Sequence, residues 1–590
     1  MKNLIGGRLA IVAVAACAMT GCQWFAKGPL DRTVDQQLRE QMAAQYRQYL
    51  DQVKESPDIE VTRPKSNVDA HIKEADREER RADWKKMGGP ESYKDSPLKL
   101  GKDLTGKSDA PVLNMTLKRA IQLAVKNNLD VEQARIVPAI TGAQVTQALA
   151  VFDALYFASL THDVLDTQTP ALVFMPPGTS PFTQTRTTSF QTGINKRTNT
   201  GASITLSAGI NRNDRAPSPF VVGTYYDADI LLSITQPLLR GFGVDVNEAD
   251  IMLTKSSRDQ SGEQLRQTLL DVALAVEQTY WRLVFARARL LIQTRLMEKH
   301  GEDVAIIKKR GDFDQSPPAL MQAVSFAENV RAEVIRAQQE VRRASDALKR
   351  LVNSDDLPLS GETLINPLET PADLPVTYSL MDAVKTALQK RPEIKTALLQ
   401  IKDASIRQRV ADNARLPLLN VGAGIRYTGV DNTAGNEALG ETFDGDFIDY
   451  LLSVEFEQPI GNRGPEALYE QRKLERRAAM VNYQNVVQQT VLEVKDALRG
   501  LIAAYELIGA STSARQAATE NLRSYDVKQE IGQELSEAFM DQKLRSEQRL
   551  AAAEEQEMQA LAQYNSAIAT LYRAMGTLLD NNNVEVAESE

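Results

Sequence analysis

Residues 230–237 read Ile-Leu-Leu-Ser-Ile-Thr-Gln-Pro, and residues 452–459 read Leu-Ser-Val-Glu-Phe-Glu-Gln-Pro. The two stretches share β-forming residues and a closing Gln-Pro, at an offset of 222 positions. Each precedes a long segment without proline, from about residue 247 to 310 and from about 466 to 530. Self-similarity of this kind indicates a duplication. We therefore interpret the body of the chain as two copies of one structural unit.

The match continues upstream of these stretches. Residues 116–121 (Thr-Leu-Lys-Arg-Ala-Ile) resemble residues 379–384 (Ser-Leu-Met-Asp-Ala-Val) at an offset of 263. Both begin with a hydroxyl residue, Thr116 or Ser379, which can cap a helix by accepting a free backbone N–H. Because the offset falls from 263 to 222, the first copy carries 41 additional residues between the two landmarks.

Extended segments lie between the landmarks of each copy. Residues 188–194 and 202–210 are rich in Ser, Thr, Ile and Leu and flank a turn at 196–201, whereas residues 421–427 and 450–456 are separated by a loop rich in Gly, Asn and Asp. We expect an α+β fold in which each copy reads helix, strand, loop, strand and long helical hairpin.

The long proline-free segments carry a heptad seam. Apolar positions step alternately by four and three, as in a helix that buries one edge against a neighbour. The seam positions are Leu265, Leu269, Val272, Val276, Thr279, Leu283, Ala286 and Leu290 in the first copy, and Val487, Val491, Val494, Leu498, Leu501, Tyr505 and Ile508 in the second. About 64 helical residues would span roughly 95 Å. Such helices require a bundle, a coiled coil or a tube.

Each long helix is predicted to end at a turn and to be followed by a second helix. The turns are residues 310–318, with Gly and two prolines, and residues 531–536, a weaker break. Helices are expected to resume over 319–352 and 536–579, which gives antiparallel hairpins.

Composition excludes several classes of protein. The 590-residue chain has a net charge of −9, which argues against general nucleic-acid binding. Three histidines and two cysteines leave little material for a metal site or a thiol enzyme. The sequence contains no HExxH or GxSxG motif, and its one match to the GxxxxGK[ST] phosphate-loop pattern, residues 101–108, lies in a segment of mixed charge interrupted by prolines. We expect no catalysis, no metal and no nucleic-acid partner.

The N-terminus has the pattern of a secretory signal. Lys2 and Arg8 precede an apolar run over residues 9–19, which is too short to span a membrane as a helix. Cys22 follows small residues, as in the bacterial lipobox. We expect residues 1–21 to be removed and Cys22 to carry covalent lipid such as palmitate. Apart from this lipid we expect no cofactor. An ordinary signal peptide cut elsewhere is the alternative.

Residues 22–110 follow as a segment dense in mixed charge. Prolines interrupt it at positions 57, 64, 90 and 97, and Pro111 follows directly after it. We interpret this segment as an anchor and a solvated linker with short helices. The alternative is a docking arm that uses its basic and acidic residues.

The chain resembles the TolC-like outer-membrane efflux proteins over residues 114–580. The resemblance rests on the duplicated unit, the helix starts at Leu117 and Leu380, the Gln-Pro strand ends at 236–237 and 458–459, and the lipobox. The expected organisation is a lipoprotein signal peptide (1–21), an anchor and charged linker (22–110), a first repeat (111–355), a linker (356–377), a second repeat (378–580) and a disordered tail (581–590).

The resemblance implies a homotrimer in the cell outer membrane, lipid-anchored and with a large periplasmic part. Two strands per repeat would give four per protomer, and three protomers would share one twelve-stranded transmembrane β-barrel continued by a periplasmic α-helical barrel. The 41 additional residues, with a candidate hairpin at 187–211, would either enlarge the barrel or form an extra exposed loop. Six strands per protomer would mean a larger barrel.

The resemblance also implies sites. The tips of the helical hairpins would dock a periplasmic membrane-fusion adaptor, and acidic residues past the second tip would ring the closed aperture. At the aperture we expect Asp541 and Glu537, although a solvated helix face explains acidic residues equally well. The expected docking residues are Arg310, Gly311, Asp312, Phe313, Ile531, Gly532 and Gln533.

The implied function is a passive conduit of a tripartite export system, opened by the adaptor and powered by an inner-membrane transporter. Efflux and type I secretion would use the same conduit. The alternative is a lipid-anchored periplasmic coiled-coil scaffold without channel activity, which explains the seam and the lipid but assigns no role to the strands.

Overall fold

A computed structural model describes residues 59–60, 78–104, 106, 111–168, 182–215, 223–311, 317–531 and 536–584. The predictions for Cys22, Asp312, Phe313, Gly532 and Gln533 lie outside the described residues. The chain divides into two compact units. The described residues of the first unit lie within the segments 139–260 and 397–482. The second unit comprises the described residues of 42–138, 261–396 and 483–590.

The described strands are β1 Ile59–Glu60, β2 Val112–Met115, β3 Ala154–Gln168, β4 Phe182–Arg197, β5 Ser203–Arg215, β6 Thr224–Pro237, β7 Leu364–Pro367, β8 Thr377–Tyr378, β9 Leu418–Asp431 and β10 Ile448–Glu457. The described helices are α1 Glu78–Met87, α2 Pro90–Tyr93, α3 Leu117–Asn127, α4 Leu129–Leu149, α5 Val244–Asn247, α6 Ala249–Gly311, α7 Pro317–Val352, α8 Leu380–Lys390, α9 Pro392–Ala414, α10 Gly435–Asp444, α11 Arg463–Glu530, α12 Glu537–Met575 and α13 Leu578–Asn581.

The first unit is built on an antiparallel six-stranded sheet of order β10-β9-β6-β5-β4-β3. The expected strands are present in both copies, but the first copy contributes four strands to this sheet and not two. The candidate hairpin at 187–211 is the additional pair, β4 and β5. This hairpin is part of the sheet because β4 pairs with β3 and β5 pairs with β6.

The turn between β4 and β5 explains the local register. The Thr198 amide donates to the Ala202 carbonyl oxygen at 2.8 Å. Gly201 has φ of +96°, a left-handed conformation that favours glycine. A Cβ at this position would also lie 2.5 Å from the Gly241 carbonyl oxygen. The predicted turn is present, but it spans residues 198–202, because Lys196 and Arg197 still belong to β4.

The second unit contains most of the long helices. The heptad seam is confirmed, since most of its predicted positions are buried, among them Leu283 in α6 and Leu501 in α11. The helix caps are confirmed as well. The Thr116 hydroxyl accepts from the Arg119 amide, and the Ser379 hydroxyl accepts from the Asp382 amide, both at 3.3 Å.

The charged segment before residue 110 is not a solvated linker where the structure describes it. Trp84 in α1 is buried, and its indole N–H donates to Glu520 in α11 at 2.8 Å. Gly88 lies so close to α11 that a Cβ would approach the Thr519 hydroxyl to 2.6 Å. Burial of an aromatic ring together with a close backbone approach outweighs hydration of the neighbouring charges. Residues 78–104 therefore pack against the helices of their own chain, and we refer to them as the docking arm; docking of a partner through their charges stays a prediction.

No described helix combines the length and the apolar character that crossing a membrane requires.

Candidate functional site

The six-stranded sheet has one apolar face and one polar face. Residues paired across neighbouring strands point to the same side, so the register assigns each row to a face. A complete row of the apolar face runs through Tyr156, Ile194, Leu206, Leu232, Ile425 and Tyr450. On the opposite, polar face a row runs through Ser159, Gln191, Gly209, Asp229 and Thr428.

The apolar face is uncovered over much of its area in the single chain. Leu452 is 80% exposed and Leu160 is 71% exposed, at opposite ends of the strand order. Exposed apolar patches of this size mark contact with a membrane or with another protein. This face therefore needs an apolar environment that the described chain does not itself supply.

A short helix covers one part of the apolar face. In α10, Ala438 and Thr442 are buried against the sheet, and the Thr442 hydroxyl donates to the Ala228 carbonyl oxygen at 3.3 Å. Gly429 makes this approach possible, because a Cβ there would collide with the Ala438 carbonyl oxygen. The connection between β9 and β10 is thus a packed helix.

The polar face is held by side-chain hydrogen bonds between strands. Asn211 and Asn213 of β5 donate to the two carboxylate oxygens of Asp227 in β6, at 2.6 and 2.5 Å. The Thr187 hydroxyl of β4 donates to Asn213 at 3.0 Å. This network orders polar groups along the face, which can therefore contact water without losing its geometry.

Asp541, one of the two predicted aperture residues, lies in the first turns of α12. Its carboxylate accepts from Gln322 Nε2 of α7 at 2.6 Å and from Arg545 Nε, one helical turn away, at 2.8 Å. The carboxylate therefore carries a cationic partner within its own chain, which reduces its net field. Glu537 is the first residue of α12, and its side chain lies outside the described part.

The predicted docking residues lie at helix ends. Arg310 and Gly311 close α6, and the side chain of Arg310 is outside the described part. Ile531 directly follows α11 and is 75% exposed. An exposed isoleucine at a helix end is a suitable apolar contact for another protein.

A buried ionic cluster, absent from the sequence predictions, connects α6 with α12. Lys543 Nζ lies 3.0 Å from Asp303 Oδ1 and 3.8 Å from Glu547 Oε1. His300 is fully buried, with Nε2 3.4 Å from Glu547 Oε2. Asp526 of α11 approaches Lys543 to 4.0 Å. We refer to these five residues as the ionic cluster.

Burial determines the protonation of the ionic cluster. It raises the pKa of Glu547 to about 8, with Asp303 adding to the effect. It lowers the pKa of His300, against the opposing attraction of Asp303. Continuing the heptad seam of α6 from Leu290 reaches His300. A polar residue at a seam position was therefore the sequence signal that could have revealed the cluster.

A second buried ion pair holds the docking arm. Arg295 Nη2 lies 2.5 Å from Glu554 Oε2, and Glu554 Oε1 accepts from the Gly89 amide at 2.6 Å. Arg295 also donates to the Ser92 hydroxyl. One carboxylate thus joins α6, α12 and the arm, and removal of its cation would leave a buried charge without compensation.

The described residues offer no arrangement of three or more His, Cys, Asp or Glu side chains suited to holding a metal ion.

With its sheet and long hairpins, the chain has the architecture of outer membrane channels. Its structure resembles the Campylobacter jejuni CmeC outer membrane channel with a TM-score of 0.57 and 18% identity, over 82% of this chain and 92% of that one. It resembles a crystal structure of CusC with a TM-score of 0.56 and 18% identity, over 81% and 96%. At these identities the likeness shows the fold.

Sequence comparison finds a family model and curated relatives that match parts of the chain. Residues 383–577 match the family model described as outer membrane efflux protein. The Cation efflux system protein CusC of Escherichia coli K12 is 25% identical over 38% of this chain and 47% of its own length. The Probable outer membrane lipoprotein SilC of Salmonella typhimurium is 23% identical over 50% and 61%. The chain thus spans about half the length of the curated relatives that it matches. The predicted resemblance to the TolC-like outer membrane efflux proteins is confirmed by these matches.

Proposed function

We propose that this protein is the outer-membrane channel component of a tripartite export system. The observation that carries the proposal is the six-stranded sheet with one apolar face and one ordered polar face. In a barrel, such a sheet turns its apolar face to lipid and its polar face to a water-filled lumen. The channel would be a homotrimer, as the resemblance implies. Neighbouring copies would close the two sheet edges that are unpaired among the described strands.

The relatives support an export role and a lipid anchor. One relative is named a cation efflux system protein, and another a probable outer membrane lipoprotein. We propose that Cys22 carries acyl chains that hold the protein at the outer membrane, with the helical hairpins in the periplasm. The lipid would be the only covalent group, and the protein would be neither an enzyme nor dependent on a cofactor.

The energy for export would come from a partner. The one match to the phosphate-loop pattern, residues 101–108, is not directly preceded by a β-strand among the described residues, so it lacks the strand-to-helix context of such a loop. An inner-membrane transporter would supply this energy, and a periplasmic adaptor would open the conduit at the hairpin tips. Exposed Ile531 is the described tip residue that would contact the adaptor.

Asp541 would line the aperture as proposed from the sequence. Three copies around an axis would bring like charges together, which favours a bound cation or proton. Its ion pair with Arg545 limits this effect. Opening of the Asp541–Arg545 pair would therefore increase the preference of the aperture for cations.

The proposal is tested by planar-bilayer conductance of the purified lipidated trimer. We expect discrete channels, reduced cation preference in Asp541→Ala and increased cation preference in Arg545→Gln. Glu470→Gln is a matched control, because this carboxylate is exposed. Channels whose cation preference is unchanged by both aperture substitutions would contradict the aperture assignment alone. A folded trimer without conductance in any variant would favour the scaffold alternative.

A further inference from the structure

The first copy contains a strand pair that the second copy lacks. β3 and β6 correspond to β9 and β10 as the first and last strands of their copies, whereas β4 and β5 have no counterpart. The pair is fully integrated into the sheet. β5 pairs with β6 from Ser203–Thr235 to Asp214–Thr224, and β4 pairs with β3 over the whole length of β3.

The inserted pair preserves the two faces. Phe190 and Ile210 continue the apolar row that begins at Leu160 and reaches Ala228. On the opposite side, alternate residues of β4 from Thr183 to Arg197 are all polar or glycine. Two added antiparallel strands return the chain to its original direction and keep each apolar side chain on the same face of the sheet. The insertion therefore leaves the rest of the sheet unchanged.

The sheet has two free edges that fit each other. β3 and β10 are the terminal strands, and they run in opposite directions because the six-stranded order is antiparallel throughout. β3 of one copy can therefore pair with β10 of the next in antiparallel register. Tyr156 and Tyr450 lie on the same face, so the apolar band would continue across the junction. Lipid cannot satisfy free edges, which makes a second copy of this chain the occupant that completes the sheet.

We propose that β4 and β5 widen the outer-membrane pore: three copies of six strands close a barrel of eighteen strands, and the polar face of the inserted pair lines its lumen. The inference rests on the proposed function. Barrel diameter grows roughly linearly with strand number, and barrels of about 16–18 strands enclose an aqueous channel. The pore would be about one and a half times as wide as that of a twelve-stranded barrel. It would admit hydrated, polar solutes of larger cross-section.

The side chains of the inserted strands are suited to the passage of hydrated, polar solutes. Their lumen-facing side chains are mainly hydroxyl and amide groups, including Thr187, Gln191 and Asn213. Such groups exchange hydrogen bonds with water and with polar solutes and impose no strong charge selection. Size and hydration, more than charge, would then decide what crosses the barrel.

The direct test is the strand count of the purified wild-type trimer by electron cryomicroscopy. Eighteen strands around one lumen support the proposal. A twelve-stranded ring with residues 182–215 outside it would overturn the proposal while leaving the export channel intact. A protein that forms no trimer and no channel would instead contradict the proposed function.

A deletion variant tests the role in pore size. Removal of residues 182–215 leaves β3 and β6 antiparallel and able to pair, so a trimer of four strands per chain is expected. The radius of the largest polyethylene glycol that enters the pore from the barrel side should fall by about one third. An unchanged radius would overturn the proposal. If the variant does not fold, the wild-type strand count still decides.

The matched control keeps all six strands and alters the lumen surface. Thr187→Ala combined with Asn213→Ala removes a hydrogen bond between two polar-face side chains without removing a strand. The polymer size limit should remain that of the wild type. A reduction equal to that of the deletion would show that lining chemistry, and not strand number, sets the limit.

Discussion

The two repeats agree closely in their helices and differ in their strands. The N-capped helices α3 and α8 each have 11 residues, and the long helices α6 and α11 have 63 and 68. The first repeat contributes four strands to the sheet, and the second contributes two strands and the packed helix α10. Helix length is constrained by a seam that must match along its whole course. A sheet can include an additional hairpin because each added strand pair restores the direction of the chain and the face to which its side chains point.

The seams of the two repeats also differ near the hairpin ends. His300 in α6 and Leu522 in α11 occupy equivalent positions at the offset of 222, and both are buried. The second repeat keeps an apolar residue where the first places an ionisable ring beside Glu547. The first repeat thus has a contact between ionisable groups at a position where the second repeat has an apolar side chain.

The largest expected effect concerns Arg295, which binds the docking arm to the first repeat. Arg295→Met leaves Glu554 buried without its cation, and loss of one member of a buried pair costs about 3–5 kcal/mol. Chemical denaturation of the purified protein should show this loss of unfolding free energy. Adding Glu554→Gln should recover much of it, because the uncompensated charge is removed.

Arg499→Met is the matched control for this change. Arg499 pairs with Asp496 on the exposed surface of α11. Exposed pairs contribute about 0–1 kcal/mol, so the control should be nearly neutral. Equal losses in Arg295→Met and Arg499→Met would contradict the assignment of a buried, structural pair.

A smaller effect is expected from the ionic cluster and depends on pH. The pKa of Glu547 is raised to about 8, so the folded state holds its proton where the unfolded state releases it, and stability falls as pH rises from roughly 4.5 to 8. The lowered pKa of His300 has the opposite sign, since stability falls as pH drops below roughly 6.5. Asp303, Lys543 and Asp526 contribute the neighbouring charges.

Two substitutions separate these contributions. In Glu547→Gln the decline towards pH 8 should flatten, and in His300→Leu, which copies the second repeat, the acid decline should flatten. Thermal unfolding of each variant between about pH 5 and 9 provides the measurement. Parallel curves for wild type and both variants would show that the ionic cluster does not titrate in this range.

The smallest expected effect tests the equivalence of the repeats. Thr116→Ala and Ser379→Ala each remove a side-chain cap from helices of equal length, at a cost of about 1 kcal/mol. Denaturation should give similar losses for both. A loss confined to one substitution would show that the two caps are not equivalent in the folded protein.

Much of the helical unit could be predicted because its signals are local. The proline-free runs, the caps at Thr116 and Ser379, and the breaks after residue 310 and at 531 located the hairpins to within a few residues. The packing of residues 78–104 was not predicted. Their charges were evident in the sequence, whereas the contacts of Trp84 with Glu520 join residues more than four hundred positions apart.

The sequence by itself determined the duplication, the helix and strand periods, the turn at 196–201 and the family resemblance, because each is written in neighbouring residues or in a repeated pattern. Only the tertiary structure decided that the inserted hairpin joins the sheet, that Asp541 pairs with Arg545 and Gln322, and that His300 and Glu547 meet. The physical reason is the same in each case. Free strand edges and buried charges are satisfied by partners that the fold brings together across long separations in sequence.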